Sequence, residues 1–191
     1  MFGRKWKRSS STDDEPRVIK DRLRSRERTM NRAVKLLAAK PRSVLELRER
    51  LLEKMWTDEE IVDAVIEKLK EYKYLDDQQF ANNLAASKLR QKPQGKRRLQ
   101  QTMSQKKLDK EVVSEAIAVA FEKMPEAELI DASIEKRLRL KGKPVSRQDL
   151  KKFYDHLLRQ GFAFDLIRQK MQQIGKTPEP ADDAEPGADD N

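Results

Sequence analysis

The residues best suited by type and spacing to do chemistry are two adjacent carboxylates, Asp76 and Asp77, in the stretch YKYLDDQQFA at 72–81. Such a pair can hold a hard cation or divide acid and base roles between its members. Their setting points to a different duty. One apolar period ends at Leu75 and another begins at Phe80. An Asp placed directly before a new helical period caps it by accepting orphan backbone N–H groups of the first turn. A second Asp inside that turn suits the positive end of the helix dipole. Leu75 and Phe80 are spaced to form a hydrophobic staple across the cap. The stretch therefore reads as a structural joint between two helices, built from Tyr74, Leu75, Asp76, Asp77 and Phe80.

Little else could react. The chain contains no cysteine, which removes disulfides, thiolate catalysis and Cys-based zinc sites. Its one histidine, His156, cannot make a multi-histidine metal site. The six glycines form neither a phosphate-cradling loop nor a nucleophile elbow. No catalytic residue, metal site or cofactor is assigned, and an enzyme is not expected.

The charges are more informative. The 191 residues carry a formal charge of +9, with a pI near 9.6, which fits a polyanionic partner. Across 78–108 there is no acidic side chain. That window holds Lys88, Arg90, Lys92, Lys96, Arg97, Arg98, Lys106 and Lys107, interspersed with glutamines. Lys96, Arg97 and Arg98 fall in the first turn of an expected helix, where the dipole disfavours cations, so a binding use is inferred for them. A second run contains Lys136, Arg137, Arg139, Lys141 and Lys143. Neither run is interleaved with aromatics, so phosphate contact rather than base stacking is expected. The predicted binding set is Lys88, Arg90, Lys92, Lys96, Arg97, Arg98, Lys106, Arg137 and Arg139.

The elements that must position these residues follow from apolar spacing. Met30, Ala33, Val34, Leu37 and Ala38 make one helical face, stopped by Pro41. Ser43 with Glu46, and Thr57 with Glu60, read as capping boxes for the next two helices, which carry Leu47 and Leu51, then Ile61, Val65 and Leu69. A shift of 52 places lays Ser43 on Gly95, Leu47 on Leu99, Leu51 on Met103, Thr57 on Asp109, Ile61 on Val113 and Val65 on Ile117. Apolar positions meet apolar positions and caps meet caps, the mark of an internal repeat. Asp109 is expected to cap the sixth helix as Thr57 caps the third. A degenerate third copy is expected around Leu129, Ile130, Leu138, Phe153, Leu157, Phe162 and Ile167, with Ser146 as a cap and Gly161 as a helix stop.

These signals predict an all-α chain: an elongated, curved array of three tandem three-helix repeats with disordered termini. The expected bounds are a basic N-terminal arm at 1–25, repeats at 26–75, 76–123 and 124–175, and an acidic tail at 176–191. Leu47, Leu51, Ile61, Val65, Phe80, Leu84 and Leu99 are expected in the core. No window is long and apolar enough to span a bilayer and no signal peptide is read, so a cytoplasmic monomer is expected.

Four stretches together resemble the RecX family, bacterial regulators of the RecA recombinase. YLDDQQFA matches the family's joint of Tyr, Ile or Leu, Asp or Asn, Asp, two free positions, Phe or Tyr, and Ala. AVKLLAAKPRSVLELRERL is similar to its first two helices, KPQGKRRLQQTMSQKKLDKEVVSEAI to its middle unit, and LLRQGFAFDLI to its closing motif. The resemblance covers about 30–171. It departs where the family often has a glycine before each third helix: Met55 and Lys107 stand there, and Gly161 alone is kept, so different helix ends are expected at the first two. The resemblance implies a non-enzymatic protein that binds the RecA filament on DNA, lies in its groove and inhibits its ATPase, coprotease and strand-exchange activities. It also implies DNA contact, single- or double-stranded, through phosphates. Two alternatives remain open at this level: a direct DNA-binding helical protein of helix-turn-helix type, and a protein-interaction solenoid whose charge serves solubility.

Overall fold

The computed structural model describes residues 19–176. Residues 1–18 of the arm expected at 1–25, and 177–191 of the tail expected at 176–191, lie outside them. The described residues form nine helices and no strand. They divide into two compact units, the boundary along the chain falling between Asp76 and Asp77.

The first unit contains α1 (Arg22–Ala39), α2 (Val44–Leu52) and α3 (Glu59–Glu71). Ala33, Leu47, Leu51, Val62, Val65, Ile66, Leu69 and Leu75 make its core. Helix α1 begins within the segment expected to be a disordered arm. Asp21 caps it, accepting from the Arg24 N–H at 2.9 Å. The apolar period that starts at Met30 misses this first stretch because hydroxyl groups hold it. Ser25 Oγ donates to the Trp56 carbonyl. Thr29 Oγ1 bonds the Ser25 carbonyl at 2.8 Å and Thr57 Oγ1 at 3.1 Å. All three hydroxyl residues are buried. Buried polar groups are tolerated when they bond one another in this way.

Ser43 caps α2 as expected, its hydroxyl accepting from the Glu46 N–H at 3.2 Å. The expected Thr57 cap is corrected. Asp58 caps α3, accepting from the Ile61 N–H at 2.8 Å, and Thr57 is left to the hydroxyl seam. A carboxylate one residue on takes the orphan N–H, and the exposed dipole end favours its charge. Arg48 joins α2 to α3 through Asp63 at 2.7 Å and Glu59 at 3.2 Å. At the end of α3, Lys73 takes a left-handed conformation at φ 57°. The Tyr74 N–H then reaches the Leu69 carbonyl at 2.9 Å and the Lys73 N–H that of Lys70 at 2.9 Å. That pair of bonds is a Schellman ending made without glycine.

The second unit contains α4 (Asp77–Gln91), α5 (Lys96–Ser104), α6 (Lys110–Lys123), α7 (Glu126–Lys141), α8 (Arg147–Arg159) and α9 (Phe164–Lys176). One core runs through all six, from Ala81, Ala85 and Leu89 to Phe153, Leu157, Phe162 and Ile167. The second and third triplets therefore share an interior. Helix α4 packs most extensively on α6. Ala81 and Ala85 on one helix, and Ala116 and Ala120 on the other, are buried. Small side chains at such a contact let two helix axes approach closely.

Glycines pin the two triplets. The Gly95 N–H donates to the Gln160 carbonyl at 3.0 Å. A Cβ on Gly95 would lie 2.1 Å from the Gly161 carbonyl oxygen, and one on Gly161 would lie 2.5 Å from the Arg98 nitrogen. Gly161 also sits at φ 83°. Backbone meets backbone here, and only glycine permits it. The loop at Lys107 is a second correction. Lys107 adopts φ 53°, so it keeps the left-handed turn that Gly161 makes, without the glycine; Met55 has no positive φ. Asp109 stands at the N-cap of α6 but makes no side-chain cap bond, whereas Ser146 and Asp149 form a complete capping box on α8.

Candidate polyanion-binding surface

The two helices that carry most of the predicted binding residues are α4 and α5. Helix α5 starts without a side-chain cap, because its N-cap is Gly95. Its cationic first turn is met from elsewhere: the Lys96 N–H donates to Glu126 Oε1, at the start of α7, at 3.2 Å. That carboxylate relieves part of the conflict between Lys96, Arg97, Arg98 and the helix dipole. A partner thirty residues away was not legible from local spacing.

The predicted cations divide into tied and open groups. Arg98 Nη1 donates to the Arg159 carbonyl at 2.8 Å, where a cation suits the C-terminal end of α8. Arg137 is half-buried. Its guanidinium lies 5.0 Å from the Phe153 ring centroid and Nη2 bonds the Lys152 carbonyl at 3.4 Å. Lys96 Nζ lies 5.5 Å from the Phe121 ring. These three side chains serve packing as well as charge. Arg90, Lys92, Arg97 and Arg139 are exposed, and Lys88 and Lys106 half-buried. Lys92 follows the last residue of α4 and its N–H closes the helix on the Lys88 carbonyl at 3.1 Å, while Arg90 projects about 200° around the helix from Lys88.

Lys92, Arg137 and Arg159 converge on His156. Burial first, then the charges of Arg137, Arg159 and Lys92, push the His156 pKa below its ordinary value. The imidazole is therefore neutral near pH 7. The end of α4, α7 and α8 thus meet in one positive neighbourhood, and Arg98 reaches it from α5. Sequence reading did not single out Arg159. Its position two residues before Gly161, at a helix end, was the available signal. His156 Nε2 lies 3.3 Å from Gln160 Nε2, and Gln160 is buried. Among the described residues, no group of three or more metal-binding side chains is placed to hold an ion. No helix among them is long and apolar enough to cross a membrane.

The joint residues fall into three environments. Leu75 is buried in the first core, and Tyr74 is 70% exposed. Asp76 stands at the N-cap position of α4, and Asp77 is its first residue. Both residues make interactions of their own. Phe80, expected in the core, is only half-buried and belongs to neither cluster. The inward face of α4 is set by Ala81, Ala85 and Leu89, and Phe80 lies about 100° from Ala81.

Models of two RecX domains match this chain: the first three-helix domain at 30–69 and the second three-helix domain at 76–117. The regulatory protein RecX of Prosthecochloris aestuarii is 32% identical over 77% of this chain and 93% of its own length. That of Chlorobium phaeobacteroides is 30% identical over 74% and 90%. Against the Bacillus subtilis protein, 32% identity covers 75% of this chain but 54% of the relative, so the chain spans about half of that longer protein. Among solved structures, RecX from Lactobacillus salivarius superposes with a TM-score of 0.70 at 20% identity, over 80% of this chain and 98% of the other. With its two domain matches and its full-length relatives, the chain belongs to the RecX family.

Proposed function

We propose that this chain binds the RecA recombinase filament on DNA and damps its ATP hydrolysis, coprotease and strand-exchange activities, without catalysing a reaction itself. The observation that carries this reading is the acid-free stretch 78–108. It spans α4 and α5 and presents Arg90, Lys92 and Arg97 to solvent on a framework pinned by Gly95 and Gly161. An open cationic surface on a rigid support loses little conformational entropy when a polyanion docks. The filament offers phosphates and recombinase together, and the chain acts on it as a monomer in the cytoplasm.

The helix-turn-helix alternative is less well supported by the charges. In such a motif the second helix of the pair enters the major groove. Here that helix is α6, whose exposed side chains include Glu111, Glu115 and Glu122. Acids on the reading face would repel phosphates. The test is co-sedimentation with recombinase filaments assembled on single-stranded DNA with a non-hydrolysable nucleotide. The chain should pellet with filaments and be released as salt is raised. A chain that stays in the supernatant at low salt would overturn the proposal.

A further inference from the structure

A second basic surface lies in the first unit, on α1, whose first residues fall in the segment expected to be a disordered arm. Helix α1 carries Arg22, Arg24, Arg26, Arg28, Arg32 and Lys35 against one acid, Glu27. Arg22 is used internally, pairing with Asp58 at 3.2 Å and Glu60 at 2.8 Å. The others differ. At 100° per residue, Arg24, Arg28, Asn31, Arg32 and Lys35 fall within about 100° of the helix circumference. That stripe borders the face that buries Ser25, Thr29 and Ala33, the two centred about 110° apart, and all five of its side chains are exposed. Glu27 lies off it. The stripe runs about 16 Å, the length of several successive phosphates at roughly 3.4 Å per nucleotide along one strand.

Two features separate it from an ordinary solvated face. First, the arrangement costs stability when empty. Arg24 with Arg28, and Arg28 with Arg32, are like charges at i,i+4, and cations occupy the first turn against the dipole. Among the described residues, no ion pair offsets Arg24, Arg28, Arg32 or Lys35. Second, the middle cation is already ordered: the Arg28 guanidinium lies 4.4 Å from the Trp56 ring centroid. A stacked guanidinium keeps its charge while giving up side-chain freedom before any ligand arrives.

From these features we infer that the Arg24–Arg28–Arg32–Lys35 stripe is a binding surface for the phosphodiester backbone of single-stranded DNA, carried by the first unit and distinct from the surface on α4 and α5. A one-sided row fits a strand lying along the helix. Entry into a duplex groove would call for contacts on both sides of the stripe, and on the side beyond Arg32 lies the buried face of Ser25, Thr29 and Ala33. The stripe contacts the strand whether or not recombinase coats it.

The experiment titrates a fluorescent single-stranded oligonucleotide, without recombinase, across a salt series. The wild-type chain is compared with Arg24→Gln/Arg32→Gln/Lys35→Gln and with Arg26→Gln, which removes an exposed cation from another face. Each lost phosphate contact on a single strand lowers the slope of log K against log salt by about 0.7, so the triple variant should lose about 2. Arg26→Gln should leave the slope unchanged, and melting temperatures should match, since every altered residue is exposed. An unchanged slope in the triple variant overturns the inference. So does an equal per-charge loss in Arg26→Gln, tighter binding of a matched duplex than of the single strand, or no binding by the wild type at low salt. Filament co-sedimentation is a separate readout, so failure of the stripe and failure of the filament proposal are told apart.

Discussion

The two units answer similar apolar patterns in different ways. The first closes a small core with three helices, adds a seam of buried hydroxyls and pairs charges across its helices, as Arg48 does with Asp63 and Glu59. The second threads one core through six helices, fixes its two triplets by glycine backbone contact and leaves Arg90, Lys92 and Arg97 open. A three-helix layer without a neighbouring triplet in its core draws on hydroxyls and ion pairs to close its edges. A layer that shares its core has cations to spare for a partner. The lesson is that a repeat visible in sequence need not be a repeat in energetics.

The sharpest way to break this comparison is at Gly95. Gly95→Ala drives a methyl group into the Gly161 carbonyl, and should destabilise the second unit by about 3 kcal/mol. Hydrogen exchange should show faster opening from α4 onward, with protection in α1–α3 retained. Equal loss in both units would mean that they unfold as one. The seam of the first unit is tested by Thr29→Val, which keeps volume but strands the hydroxyl network. A loss of about 1.5 kcal/mol in urea denaturation is expected, and a neutral result would show that the seam does not hold the start of α1.

The left-handed turns give a smaller contrast of opposite sign. Lys107→Gly should raise stability by about 1 kcal/mol, because a side chain at φ 53° is strained. A loss in thermal melting would mean that Lys107's own interactions outweigh the strain. The smallest effect is the pH dependence of the second unit. His156 is held below its unfolded value, near 6.5, by burial and by Arg137, Arg159 and Lys92. The unfolded chain therefore binds the proton more readily, and stability is full above about pH 6.5. It is lost as pH falls from there through the lower folded-state value. His156→Gln should flatten that window in denaturation curves taken from pH 7 to 5. An unaltered slope would assign the loss to other groups.

Apolar spacing made the helices legible wherever apolar side chains hold them, and the cap at Ser43, the start of α4 after Asp76 and the cores at Leu47, Leu51 and Leu99 agree with it. It failed where other forces act. The first turns of α1 are held by Ser25 and Thr29, which carry no hydrophobic signal. Asp58 rather than Thr57 caps α3, because two adjacent polar residues competed for one N–H. Phe80, expected in the core as part of one helical face with Ala81, Leu84, Ala85 and Leu89, is only half-buried, because that face is wide and α4 turns its Ala81 side inward. Of the candidate surface, the sequence supplied the run of cations and the absence of acids. It did not supply which of them are committed to packing. The bonds of Arg98 to Arg159, of Arg137 to Lys152 and of Gly95 to Gln160 join residues from α5, α7 and α8, and only the folded chain brings them together.

The central claim is that the open cations of the second unit engage the recombinase filament. It is tested most directly by ATP hydrolysis of RecA from the same organism on single-stranded DNA, with the wild-type chain and with Arg90→Glu/Lys92→Glu/Arg97→Glu. The account predicts strong inhibition at equimolar wild-type chain, and its loss in the variant with unchanged melting. Equal inhibition by both proteins would make the basic surface incidental, and no inhibition by the wild type would contradict the filament assignment itself.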